Sequence, residues 1–65
     1  MQNKKYAKNL RKLRGKTSRQ TVATAIGVTR SAIAMYEQGE RVPKDDIKVK
    51  LAKFYNTTVE SIFYA

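Results

Sequence analysis

The chain has no cysteine, no histidine, one proline and only five acidic residues. Without cysteine there is no disulfide framework and no thiolate zinc site. Without histidine the usual general base and the commonest metal ligand are both missing. Serine and threonine are plentiful, but no imidazole can activate them. The acids also show no pairing suited to catalysis, so no enzyme, metal site or cofactor is expected. No apolar run approaches the ~18 residues of a membrane span. The start, Met1-Gln2-Asn3-Lys4-Lys5, lacks the apolar stretch of a secretory signal. A cytoplasmic, nucleoid-associated location and no membrane partner are therefore expected, and no small-molecule effector is evident. Asn56-Thr57-Thr58 matches a glycosylation acceptor, but without a signal it reads as chance. Gly15-Lys16-Thr17 looks like the end of a phosphate-binding loop. That motif needs a glycine where Leu10 stands and a strand before it, so nucleotide binding is excluded.

What the chain does have is positive charge. Fourteen Lys and Arg against five Asp and Glu give a net charge of +9. This is more than solubility requires and points to a polyanion, with nucleic acid first and an anionic membrane surface second. The 65 residues suffice for one domain, 1–65. A chain this short buries only ~60% of its unfolded surface, so helical packing or self-association would help it.

Apolar spacing predicts helices throughout, with no strand alternation. The first covers about 3–14, with Tyr6, Leu10 and Leu13 inward and lysines and arginines on its solvated face. Gly15 ends it. The second covers about 19–26, with Ser18 as its cap and Val22, Ala23 and Ile26 inward. Ile26-Gly27-Val28 is a tight turn with one permissive backbone position between apolar anchors. The third covers about 30–38, capped by Thr29, with Ile33 and Tyr36 inward and Gly39 at its end. Pro43 biases Val42 toward an extended conformation, which breaks the chain. The fourth covers about 45–55, with Asp45 and Asp46 in its first turn and Ile47, Leu51, Phe54 and Tyr55 as its apolar stripe. Asn56 is its left-handed terminator. Thr58 caps a last short helix through about 63. Two short capped helices joined at Gly27 can pack steeply, the second offered to a DNA groove.

Val22-Ala23, Ile26-Gly27-Val28-Thr29-Arg30-Ser31-Ala32-Ile33, Tyr36-Glu37-Gln38-Gly39 and Arg41-Val42-Pro43 occur in order. Ile47 to Ala52 and Asn56 to Phe63 follow. On these pieces the chain resembles the Cro and phage-repressor type (XRE-like) helix-turn-helix proteins. The resemblance implies an all-α, compact five-helix lambda-repressor-like DNA-binding domain, with the motif at about 19–38. It implies a transcriptional regulator, typically dimeric, acting on two-fold symmetric operators, and often carried on phages or other mobile elements. Two features depart from the family pattern. The turn from Leu13 to Ser18 is about two residues short. Arg19 stands where the best-known members carry a glutamine that touches phosphate and braces the recognition helix. Arginine reaches phosphate more strongly but cannot accept a hydrogen bond, so the resemblance does not carry the bracing role over.

In this motif the recognition helix enters the major groove amino end first. The expected base-reading positions are Arg30, Ser31, Ala34 and Met35. Arg30 can pair bidentately with guanine, worth ~1–3 kcal/mol of discrimination. Ser31 specifies little alone, and Ala34 and Met35 offer apolar contact to thymine methyl groups. So thin a polar surface leaves part of the specificity to DNA shape. Phosphate contacts are expected from Lys16, Thr17, Ser18, Arg19 and Thr29 around the helix starts, and from Arg41 and Lys44 in the following loop. Glu37 is expected to be structural, pairing with a nearby cation or capping the loop after the third helix. Phe63 and Tyr64 are the expected surface for a homodimer, since the chain carries no separate oligomerisation segment.

The expected function is a sequence-specific double-stranded DNA-binding regulator, a homodimeric repressor. The alternative is an antitoxin or anti-repressor-like protein-interaction module on the same fold. A basic amphipathic membrane binder or a non-specific RNA binder is a further rival, separated from the first by competition with random duplex.

Overall fold

The computed structural model describes residues 4–64, which form five helices and no strand. They are α1 (Lys5–Arg14), α2 (Arg19–Ile26), α3 (Arg30–Gln38), α4 (Asp45–Phe54) and α5 (Val59–Phe63). The radius of gyration, 10.5 Å, is that of a folded chain of this length, for which about 11 Å is expected.

Three of the helices start on hydroxyl caps. Ser18 accepts from the Thr21 N–H at 3.1 Å, Thr29 from Ala32 at 3.0 Å, and Thr58 from Ser61 at 3.0 Å. Each bond satisfies an amide that the helix cannot pair internally. α4 starts instead on Lys44, whose side chain makes no capping bond; Asp45 and Asp46 supply negative charge in its first turn.

The chain ends α2 and α3 with left-handed glycines, Gly27 at φ 77° and Gly39 at φ 74°. Beyond α3 the Glu40 N–H reaches the Met35 carbonyl and the Gly39 N–H reaches Tyr36, the paired pattern of a Schellman cap. Gly39 is tight as well as left-handed, because a Cβ there would lie 2.7 Å from Lys4 Cδ. Asn56 takes the same role after α4, at φ 57°.

One core joins all five helices. Leu10 of α1, Val22, Ala23 and Ile26 of α2, Ile33 and Tyr36 of α3, Leu51 and Ala52 of α4 and Ile62 of α5 are buried together. Tyr6, Val28, Ile47, Tyr55, Val59 and Phe63 pack around it.

The structure departs from the sequence expectations at several points. α1 opens at Lys5; residue 3, in the expected span, lies outside the described residues. Leu13 was expected inward but is 40% exposed. The buried line of α1 runs through Ala7 and Leu10 at i, i+3 and continues at i+7 to Arg14, leaving Leu13 on its edge. Phe54 is likewise 39% exposed, because α4 turns its inner face along Ile47 and Leu51 toward Tyr55. Tyr55 itself caps α4 rather than belonging to it.

Candidate nucleic-acid interface

The recognition helix is short, so its orientation depends on what holds it. Nine residues of α3 span roughly 14 Å. Its inner face carries Ile33 and Tyr36, and beside them Glu37, only 1% exposed. A buried carboxylate is costly unless paired. Arg14 of α1 donates from Nε to Glu37 Oε2 at 2.6 Å, and Arg19 of α2 donates from Nε to Glu37 Oε1 at 3.0 Å. Arg11 Nη1 donates to the Glu37 carbonyl. One residue of α3 is thus clasped by arginines from the two helices packed against it.

The remaining contacts extend this hold along the helix. Lys4 lies against Gly39, and the Tyr6 hydroxyl donates to the Arg41 carbonyl at 3.3 Å. Arg14 Nη1 also donates to the Thr17 carbonyl at 2.8 Å, which pins the short turn between α1 and α2.

The clasp carries more positive than negative charge. Its carboxylate hydrogen bond raises the Arg14 pKa above the ordinary arginine value, against a smaller opposing effect of burial. The Tyr55 phenol nearby is pushed up to about 12, chiefly by burial and secondarily by Glu37, with Arg14 pulling the other way.

Arg14, Ser18, Arg19, Gln20 and Arg30 line a single open hollow at the amino ends of α2 and α3. Three guanidinium groups, the first amides of α2 and no exposed carboxylate make this hollow suited to anions. Arg19 binds Glu37 through Nε alone, and its side chain remains 36% exposed. The Thr29 hydroxyl accepts from Ala32, which leaves its proton available to an outside acceptor. Of the residues expected to face DNA, Ser18, Arg19 and Arg30 therefore meet at one hollow. Ser31 is exposed beside Arg30, Ala34 is half-buried, and Met35 is 37% exposed on the outer side of α3. Lys16 and Thr17 are exposed in the turn ahead of α2, and Arg41 and Lys44 are exposed in the loop after α3. The hollow brings none of these last four to Arg30.

Phe63 of α5 is half-buried with its ring stacked on Tyr6, centroids 5.8 Å apart. Tyr64 is 65% exposed, and its hydroxyl accepts from Lys48 Nζ at 2.9 Å. Lys48 also lies over the Phe63 and Tyr64 rings.

Sequence reasoning expected Glu37 to be structural and named neither Arg11 nor Arg14 as its partners, leaving both on a solvated face. The signal was present. Glu37 follows Ile33 by four residues and so shares the inward stripe, and an acid there needs a cation from the facing helix. Arg19 was not expected to brace α3, because it cannot accept a hydrogen bond. It does so by donating one, with Glu37 as acceptor.

No helix among the described residues is long and apolar enough to cross a membrane, and no group of three acids, histidines or cysteines among them could hold a metal ion. A family model described as helix-turn-helix matches residues 8–62. No curated protein and no solved structure matches the chain. Two capped helices joined at a left-handed Gly27, inside five helices that this family model spans from α1 to α5, place the chain in the Cro and phage-repressor type (XRE-like) helix-turn-helix family of DNA-binding transcriptional regulators.

Proposed function

We propose that the protein is a repressor that binds a two-fold symmetric operator as a homodimer, with α3 in the major groove. The observation that carries this reading is the exposed amino end of α3, with Arg30 and Ser31 outward, on a helix fastened from behind through Glu37. A base-reading helix must meet the groove at a fixed angle, and a rigid mount supplies that. Arg30 reads guanine and Ser31, Ala34 and Met35 read softly beside it. Lys16, Thr17, Ser18, Arg19, Thr29, Arg41 and Lys44 hold the phosphates of both strands. The second copy packs at the α5 end, where Tyr64 leaves an aromatic face in solvent and Phe63 lies beside it. As a soluble regulator it works in the cytoplasm, on the nucleoid.

Selection of bound sites from a random duplex pool tests this. The expected result is a palindrome with half-sites about one helical turn, ~34 Å, apart. Arg30→Ala then relaxes one position in each half-site, costing about 1–3 kcal/mol. Enrichment of an asymmetric site, or of none, overturns the dimeric sequence-specific reading.

A further inference from the structure

A second concave surface lies between α2 and α4 and takes no part in the interface above. Ala25, Ile26 and Gly27 form one bank, and Lys50, Lys53 and Phe54 form the other. The lining is mostly apolar. The exposed Phe54 ring lies edge-on against Tyr55, centroids 5.2 Å apart. Lys50 precedes Lys53 by three residues and Phe54 by four, and these spacings project all three from one side of α4. Both lysines are exposed, neither joins an ion pair among the described residues, and no carboxylate lines the groove.

The groove is also remote from the DNA-facing ends of its own helices. Ser18 and Arg19 begin α2 and Lys44 begins α4, whereas the groove uses the carboxyl-terminal halves of both. At 1.5 Å per residue the separation along each helix is roughly 10 Å. Gly27 stands only two residues before Thr29, so one end of the groove borders the start of α3.

We propose that the groove docks an acidic segment of a partner protein, one that carries a bulky apolar side chain. The aliphatic bank of Ala25 and Ile26, faced by the Phe54 ring, takes the apolar side chain out of water. Lys50 and Lys53 on the rim meet the flanking carboxylates, which steers approach and sets direction along the groove more than it adds affinity. A protein segment fits better than a nucleic-acid strand. A base brings several polar edges that need partners, and Thr24 is the one uncharged polar side chain in the lining.

The test is an NMR titration of the full isotope-labelled chain. The probe is a short synthetic peptide of aspartate and glutamate around a central leucine–phenylalanine pair; in the control peptide serines replace that pair. Amide shifts are expected at Ala25 to Gly27 and Lys50 to Phe54. Phe54→Ala is expected to weaken binding about tenfold, a loss typical of a central anchor, and the joint change Lys50→Glu with Lys53→Glu to slow association and weaken binding by a smaller factor. Circular dichroism should show both variants fully helical, and Phe54→Ala should bind duplex as before. Four results would overturn the proposal: equal binding of the serine control; shifts centred on Arg30, Arg41 and Lys44; stronger occupation of the groove by a single-stranded oligonucleotide; or the same shifts on raising protein concentration with no peptide present.

Discussion

Methionine in place of Arg14 keeps most of the aliphatic stem and deletes the guanidinium, which tests how the recognition helix is held. Arg14 makes the shorter bond to Glu37, 2.6 Å, and its side chain is 19% exposed. A charge-assisted hydrogen bond in such a setting contributes about 1.5–3 kcal/mol. Arg19 makes the longer bond, 3.0 Å, from a side chain about twice as exposed. Solvent screening reduces its contribution to about 0.2–1 kcal/mol. Arg14→Met should therefore destabilise more than Arg19→Met, by a factor of about 1.5 or more. A chain of this size has only about 3–10 kcal/mol in total, and each kcal/mol shifts Tm by about 4–8 °C. Thermal unfolding followed by circular dichroism should thus show a loss of about 6–24 °C for Arg14→Met and about 1–8 °C for Arg19→Met. The cost of Arg14→Met should shrink in a Glu37→Gln background, because neighbours in one charge network do not add. Equal losses for the two single variants, or a larger one for Arg19→Met, would refute the inference from burial to energy.

The same cluster makes a prediction at high pH. Tyr55 has its pKa raised from 10.0 to about 12, so the folded state favours the neutral phenol. Its contribution to stability is complete below the unfolded value and is lost as pH rises through the folded one. Tyrosinate absorbance should show the Tyr55 phenol titrating late, and Tyr55→Phe should remove that step and flatten the stability loss over the same interval. At the start of α3, Thr29→Ala deletes the acceptor for the Ala32 N–H and should cost about 1 kcal/mol. Hydrogen exchange at Ala32 is expected to quicken more than at Ile62 in the distant core. Equal quickening at both would mean global rather than local loosening.

The five helices and most of their ends were legible along the chain, because each boundary depends on local chemistry. Ser18, Thr29 and Thr58 satisfy amides within three residues of themselves, and Gly27, Gly39 and Asn56 adopt a left-handed turn that their own backbones tolerate. The outward set on α3 was legible for a similar reason, since Arg30, Ser31 and Met35 lie off the line through Ile33 and Tyr36. Leu13 and Phe54 were misread because both sit at the edge of an apolar stripe. Spacing gives the direction of such a side chain only to within a turn's breadth, and the neighbouring helix decides whether it is covered.

Charge and helix order are thus properties of the sequence alone: the +9 balance and the capped pair around Gly27 point to DNA before any fold is drawn. Tertiary structure decided which charges are free. Arg11 and Arg14 read like any other cations on α1, and only the approach of α1 and α2 to α3 turned Arg14 and Arg19 toward Glu37 and Arg11 toward its carbonyl. The physical reason is that a carboxylate out of water binds whichever cations packing brings within reach, and that reach is set by contacts distant in the chain rather than by the neighbours of each residue.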